Sequence, residues 1–274
     1  MHKICPFYQH TSNLSGLAKL NATTTYPFLL NMLVNREKYE LSEEHIQNMI
    51  AMIINLFIRR NFVLIPKSSN LRSYFNGWRK EIEEENLKGD ELLAFLERKI
   101  NKVAPADEEF IRALKNGIYD VNKQTTRFIL IMLQRQNDSK FFNRANRDTL
   151  DDYEGKKLLW TIEHILPQGN LPQAWVDDIA DGNADLAKEL QEKNVHRLGN
   201  LTLTPYNSGL GQRTFKEKVN YQDGESPVGF NLPIYLNDSI DTNADKFDVE
   251  SIDEREQILQ QKLMDMVQLT HNYS

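Results

Sequence analysis

The chain has 274 residues, 40% of them hydrophobic and 26% charged, a globular composition that suffices for one large domain or two small ones. Its single cysteine, Cys5, excludes an internal disulfide framework and the cysteine-based zinc clusters that staple many small nucleases. The net charge of −6 opposes a nucleic-acid partner for the chain as a whole, but residues 222–274 carry 3 basic against 11 acidic side chains. Over 195–221, Arg197, Arg213, Lys216 and Lys218 face only Glu217, so a local patch for phosphate contacts is available.

No apolar run reaches the length of a bilayer span, and the N-terminus lacks the basic-then-apolar pattern of a signal peptide. With the cysteine usage, this points to a cytoplasmic protein with no membrane partner. Residues 1–26 are mixed and polar. Pro27 to Arg36 is apolar at helical spacing. Ser42 then caps a stronger helix with Glu43 and Glu44 in its first turn, where carboxylates favour the positive end of the dipole. Ile46, Met49, Ile50, Ile53, Ile54 and Phe57 follow the i, i+3, i+4, i+7 rule, and Arg59 and Arg60 end the stripe. Further helices are predicted over Asn70 to Glu85, Glu91 to Lys102, from Asp107 past Leu114, and over Thr125 to Arg135. All of these read as core helices of a scaffold. No Gly-rich phosphate loop of the Walker type, internal repeat or low-complexity segment occurs.

Asn137 to Lys157 is polar and is the best boundary, dividing a helical scaffold (1–140) from a second region (141–274). Leu158 to Ile162 reads as a short strand leading into Glu163-His164-Ile165-Leu166-Pro167. A long connection follows, with a helical piece at Ala184 to Glu192. Leu201-Thr202-Leu203-Thr204 alternates at period two, the mark of a half-buried strand, and Thr214 to Val219 suits a short helix. Gln222 to Pro227 is turn-rich, Gly229 to Leu236 is predicted as an edge strand, and Ser251-Ile252-Asp253-Glu254 matches a capping box opening an amphipathic helix of about five turns.

The order strand, long connection, strand, helix gathers parts for cutting a phosphodiester with one metal ion. A neutral histidine with a pKa near roughly 6.5 suits deprotonation of water, which nominates His164. A hard divalent cation takes oxygen ligands and keeps several waters, which nominates the Glu163 carboxylate and the Asn207 amide oxygen. Asn200, after Gly199 at the entry of the second strand, can fix the histidine's orientation. Lys216 and Lys218 suit phosphate contacts, with Arg213 and His196 as weaker substrate-binding candidates. Each has a bland alternative: a strand-end histidine satisfied by backbone, a solvated charge, or a turn asparagine.

Glu-His-Ile-x-Pro at 163–167, Leu-Gly-Asn-Leu-Thr-Leu at 198–203, Tyr-Asn-Ser at 206–208 and Phe-x-x-Lys at 215–218 together resemble the HNH nuclease domain of the GmrSD-type, modification-dependent (type IV) restriction endonucleases. That domain is a His-Me finger, or ββα-metal, nuclease. The resemblance is specific over about 160–220 and weaker over the preceding helices. It implies a mainly α protein with a small ββα-metal motif set into a helical domain. It also implies a metal-dependent endonuclease of a restriction or anti-phage defence system. His164 would be the general base, Asn200 the middle, orienting residue, and Glu163 and Asn207 the ligands of Mg²⁺ or Mn²⁺. The partner would be DNA, modified DNA included. The family's NTPase half is not evident, so an NTPase domain or subunit is a further implied partner, and the chain reads as the C-terminal part of a larger protein or a stand-alone subunit. The alternative is a non-catalytic subunit that binds nucleic acid or protein and requires that NTPase.

Overall fold

The structure is a computed structural model that describes residues 13–136 and 141–268; Cys5 and the start of the polar boundary segment lie outside them. It is mainly helical, as the sequence predicts, and divides into two compact units, 1–111 with 265–274, and 112–264.

The first unit contains α1 (Asn13–Lys19), α2 (Tyr26–Val34), α3 (Glu43–Val63), α4 (Ser68–Glu84), α5 (Gly89–Val103) and most of α6 (Asp107–Leu114). Ser42 opens α3 as expected. Its partner in the capping box is His45, whose Nδ1 accepts the Ser42 N–H while the His45 N–H donates to Ser42 Oγ, both at 3.1 Å. The helix runs three residues beyond the arginines that were expected to end it. Arg59 is fully buried there because its guanidinium finds Val267 O at 2.8 Å, Pro105 O at 3.2 Å and the Asp107 carboxylate at 2.7 Å. The stripes of α2, α3, α4 and α5 meet in one core, in which Phe75 stands edge-on to Trp78 at 4.8 Å.

The second unit begins in α6 and continues through α7 (Ile118–Val121) and α8 (Lys123–Gln136), two helices that the sequence reading groups with the scaffold. A two-residue hairpin, β1 (Tyr153–Glu154) and β2 (Lys157–Leu158), precedes β3 (Thr161–His164). The motif residues Glu163 and His164 therefore lie within the strand instead of following it. The long connection holds α9 (Gln173–Ala180), which the sequence reading missed, and α10 (Ala184–Asn194). Then comes β4 (Leu201–Thr204), antiparallel to β3 with Thr161 opposite Thr204 and His164 opposite Leu201. All four β4 residues are buried, so the strand is covered on both faces and is not half-exposed. Next follow α11 (Asn207–Leu210) and α12 (Phe215–Val219), the latter with a Thr214–Glu217 capping box. The hairpin β5 (Gln222–Asp223) and β6 (Ser226–Pro227) fills the turn-rich connection.

Two expectations for the C-terminal part change. Gly229 to Leu236 forms no strand. The Phe230 N–H donates to Lys218 O, the Leu232 N–H to Gly229 O and the Ile234 N–H to Leu232 O, so these donors go to turns and to α12. The last helix, α13 (Val249–Met266), starts earlier than the Ser251 box suggests. Asp248 is the cap: its Oδ1 accepts the Ser251 N–H at 3.1 Å, and Ser251 Oγ answers as the reciprocal partner at 3.4 Å.

The Leu198-Gly199-Asn200 turn is pinned to α13. The buried Arg255 donates to Gly199 O at 2.7 Å and to Leu236 O at 2.9 Å, and Arg197 pairs with Glu256 and Asp253. A Cβ at Gly199 would collide with the backbone oxygen of Ile252, which cannot swing away within its helix. Gly199→Ala is therefore expected to destabilise the fold by about 2 kcal/mol or more. That corresponds to a fall of roughly 4–8 °C in thermal midpoint by circular dichroism. An unchanged midpoint would show that the turn can retreat from α13.

Candidate functional site

Glu163, His164, Pro167, Gln168, Gly169, Asn207, Gly211 and Gln212 line one cleft of about 170 Å³. Strand β3 supplies the acid and the histidine, the loop after it supplies Gln168, and α11 supplies Asn207. The Asn207 amide donates to Ile162 O at 2.6 Å, which ties α11 to the backbone just before Glu163.

Three structural bonds build the β3 end of the cleft. Asn200, fully buried, accepts the Leu166 N–H at 2.7 Å and donates to Leu166 O at 3.0 Å and Val195 O at 2.8 Å. It thus clamps the exit of β3 to the entry of β4. Its side chain makes no bond to His164, so any control it exerts on the histidine passes through the backbone. Lys218 departs most from expectation. The sequence reading places it on phosphate, but it is fully buried. Its ammonium donates to Glu163 Oε1 at 2.6 Å, His164 O at 2.7 Å and Ile165 O at 3.2 Å. All three protons are spent on the protein, because a buried ammonium is tolerated only when fully paired. Burial pushes Glu163 up and Lys218 down from their ordinary values, while their mutual attraction opposes both shifts.

Lys216 is exposed and pairs with Asp245 at 2.7 Å. Arg213 is exposed, donates to Gly209 O at 2.8 Å and lies over the Tyr221 ring. With Arg197 paired to Glu256 and Asp253, most of the basic character counted over 195–221 is taken up by carboxylates, three of them from the acidic tail.

His164 is 4% exposed and both its ring nitrogens are engaged. Gln168 Nε2 lies 2.9 Å from Nδ1, and His196 Nδ1 lies 3.3 Å from Nε2. Tyr119 of α7 stands edge-on to the His164 ring at 4.6 Å and stacks on the His196 ring at 5.3 Å. His196 Nε2 in turn lies 3.3 Å from Asp120 Oδ2. Burial, with the neighbouring His196, Lys218 and Lys123, lowers the His164 pKa to about 3, so it is a neutral imidazole across the physiological range. Gln168, Tyr119 and Asp120 were not singled out from the sequence. Gln168 sits one residue past the first motif. Tyr119 and Asp120 lie on a four-residue helix about 45 positions upstream, and nothing local marks them.

The cleft's donor set can be tested against a divalent cation. Glu163 Oε2 takes no hydrogen bond among the described residues, and Asn207 uses its N–H on Ile162, leaving a carboxylate and an amide oxygen as available donors. No group of three or more His, Cys, Asp or Glu that could hold a metal occurs among the described residues. Two oxygen donors fit a hard ion that keeps most of its water, and do not form an all-protein cage.

Two outcomes check this geometry. Lys218→Met strands a buried carboxylate and is expected to cost about 3–5 kcal/mol in chemical denaturation; a cost below 1 kcal/mol would mean that Glu163 is hydrated. The second concerns pH. With the folded pKa of His164 near 3 against an ordinary 6.5, the unfolded chain takes the proton first, so the stability it confers is present above pH 6.5 and drains as pH falls toward 3. The thermal midpoint of His164→Asn should therefore fall less steeply over that window than that of the parent; parallel slopes would refute the depressed pKa.

No helix among the described residues is long and apolar enough to cross a membrane. No curated protein and no solved structure matches the chain. A family model, that of the GmrSD restriction endonucleases' C-terminal domain, matches residues 104–262, which takes in α7, both strands of the β3–β4 pair, Asn207, Lys218 and most of α13. The chain belongs to the family of the C-terminal domain of GmrSD restriction endonucleases.

Proposed function

We propose that the chain is a metal-dependent endonuclease that hydrolyses DNA phosphodiester bonds in a restriction system. The carrying observation is that a neutral, buried histidine and a carboxylate on β3 and an amide oxygen on α11 line one cleft. On this reading β3, β4 and the helices after them are the ββα-metal finger. Residues 141–274 carry the chemistry, served from upstream by α7.

Hydrolysis needs a base for the attacking water. His164 Nδ1 faces that role: it holds a lone pair at the cleft, at present capped by the exposed Gln168 amide, which a water can displace. Glu163 Oε2 and the Asn207 amide oxygen are the groups that would hold Mg²⁺ or Mn²⁺. Such an ion, when bound, neutralises charge on the phosphoryl oxygens and on the leaving oxygen. Lys218 opposes the upward shift that burial imposes on Glu163 and holds its carboxylate in place, and Asn200 holds the strand exit that presents His164. Arg213 and Lys216 lie exposed on the segment after α11 and are the proposed phosphate contacts, Lys216 after release from Asp245.

One observation favours a second reading. Glu163 and His164 are each engaged by a side chain of the protein itself, Lys218 and Gln168. That suits a subunit that acts only once an NTPase partner rearranges it.

Plasmid nicking by the purified chain with Mg²⁺ or Mn²⁺ separates the two. Cleavage that disappears with EDTA and falls by about 10²–10⁴-fold in His164→Ala is the expected result. Undiminished cleavage by that variant would sink the assignment of the base. Cleavage that appears only after adding an NTPase partner and nucleotide would establish the second reading.

A further inference from the structure

We infer that His196, backed by Asp120, is a positioning residue that fixes the tautomer and ring orientation of His164. The inference rests on the reading of His164 as the base. It assigns the orienting task to a histidine rather than to Asn200.

The direction of the hydrogen bonds carries the argument. An amide N–H can only donate, so Gln168 Nε2 makes His164 Nδ1 an acceptor. The proton of the neutral ring is then on Nε2, and it donates to His196 Nδ1 at 3.3 Å. His196 consequently carries its own proton on Nε2, facing Asp120 Oδ2 at 3.3 Å. Each group has one role: the hydrogen bonds run in one direction from Gln168 to His196, and the Asp120 carboxylate stands at ion-pair distance beyond. Reversing that direction would set the Gln168 N–H against a ring N–H and the Asp120 carboxylate against a lone pair. The outcome is that the His164 lone pair is held at Nδ1, the nitrogen beside the cleft residue Gln168, where an attacking water must be met.

His196 is itself held on two sides. The Tyr119 N–H donates to His196 O at 3.3 Å, and the Tyr119 ring stacks on its imidazole. Helix α7, which carries Tyr119 and Asp120, starts at Gly117 in the left-handed region (φ 73°) and is fastened by Thr126 Oγ1 to Ile118 O at 2.9 Å. The positioning group therefore sits on fixed backbone, as a partner of a catalytic ring must. Asp120 is exposed, so it contributes less than His196.

The test compares two substitutions in the full chain. His196→Phe keeps a ring against Tyr119 but offers no acceptor. His196→Asn places an amide oxygen where Nδ1 was. Imidazole ¹⁵N NMR of the metal-free protein reports the His164 tautomer directly, and nicking kinetics report kcat and KM. The parent and His196→Asn should show His164 protonated at Nε2. His196→Phe should lose that preference and drop in kcat by about tenfold or more with KM unchanged, and His196→Asn should recover most of the rate. Two results would overturn the proposal: an unchanged His164 tautomer in His196→Phe, or an equal loss of rate in both variants, which would reduce His196 to packing. The NMR arm needs no catalysis. A parent protein that fails to cleave would count against the nuclease reading while leaving the tautomer result to decide the positioning role.

Discussion

The second unit depends on a buried charge that has nowhere else to go. Lys218 comes from the five-residue helix α12 and reaches Glu163 together with the carbonyls of His164 and Ile165. An ammonium out of contact with water must satisfy all three protons, so the end of β3 and the start of the following loop are fixed relative to α12. Asn200 fastens the same loop from the other side through Leu166. Glu163 and His164 thus sit on a strand end gripped by one cation and one amide, which holds both side chains in place.

The same pairing shapes the electrostatics. A carboxylate that shares one oxygen with a buried ammonium still has its second oxygen to offer, so the pair can hold Glu163 in place without closing the cleft. The acidic tail, which on composition alone argues against a nucleic-acid partner, has a structural use. Asp253 and Glu256 pair with Arg197 and seat α13 against the Leu198-Gly199-Asn200 turn, and Asp245 pairs with Lys216 of α12. What remains to attract phosphate is a small surface.

His164 gains its properties from a cluster that spans 77 positions of sequence, from Tyr119 and Asp120 to His164 and then to His196. Burial makes the imidazole neutral, and the neighbours decide which nitrogen keeps the lone pair. The match to the GmrSD C-terminal family begins at residue 104, upstream of α7, so these neighbours lie inside the matched region.

The sequence by itself determined most of the helices and the β4 strand, because helical periodicity, capping residues and the Leu201–Thr204 alternation act over a few residues at a time. It also determined the motif order that carries the family. It nominates Glu163, His164 and Asn207 as candidates, and in the structure these three residues line one cleft. It could not decide what Asn200, Lys218 and His196 touch. Those roles depend on hydrogen bonds made across 5 to 77 positions, and a polar side chain's partner is set by which groups burial leaves unsatisfied. The same holds for Gly229 to Leu236. Its residues suit a strand, but their backbone donors are claimed by turns and by α12 before a sheet edge can claim them. Tertiary structure decided the site's second layer because only a folded chain has an interior in which every donor must find an acceptor.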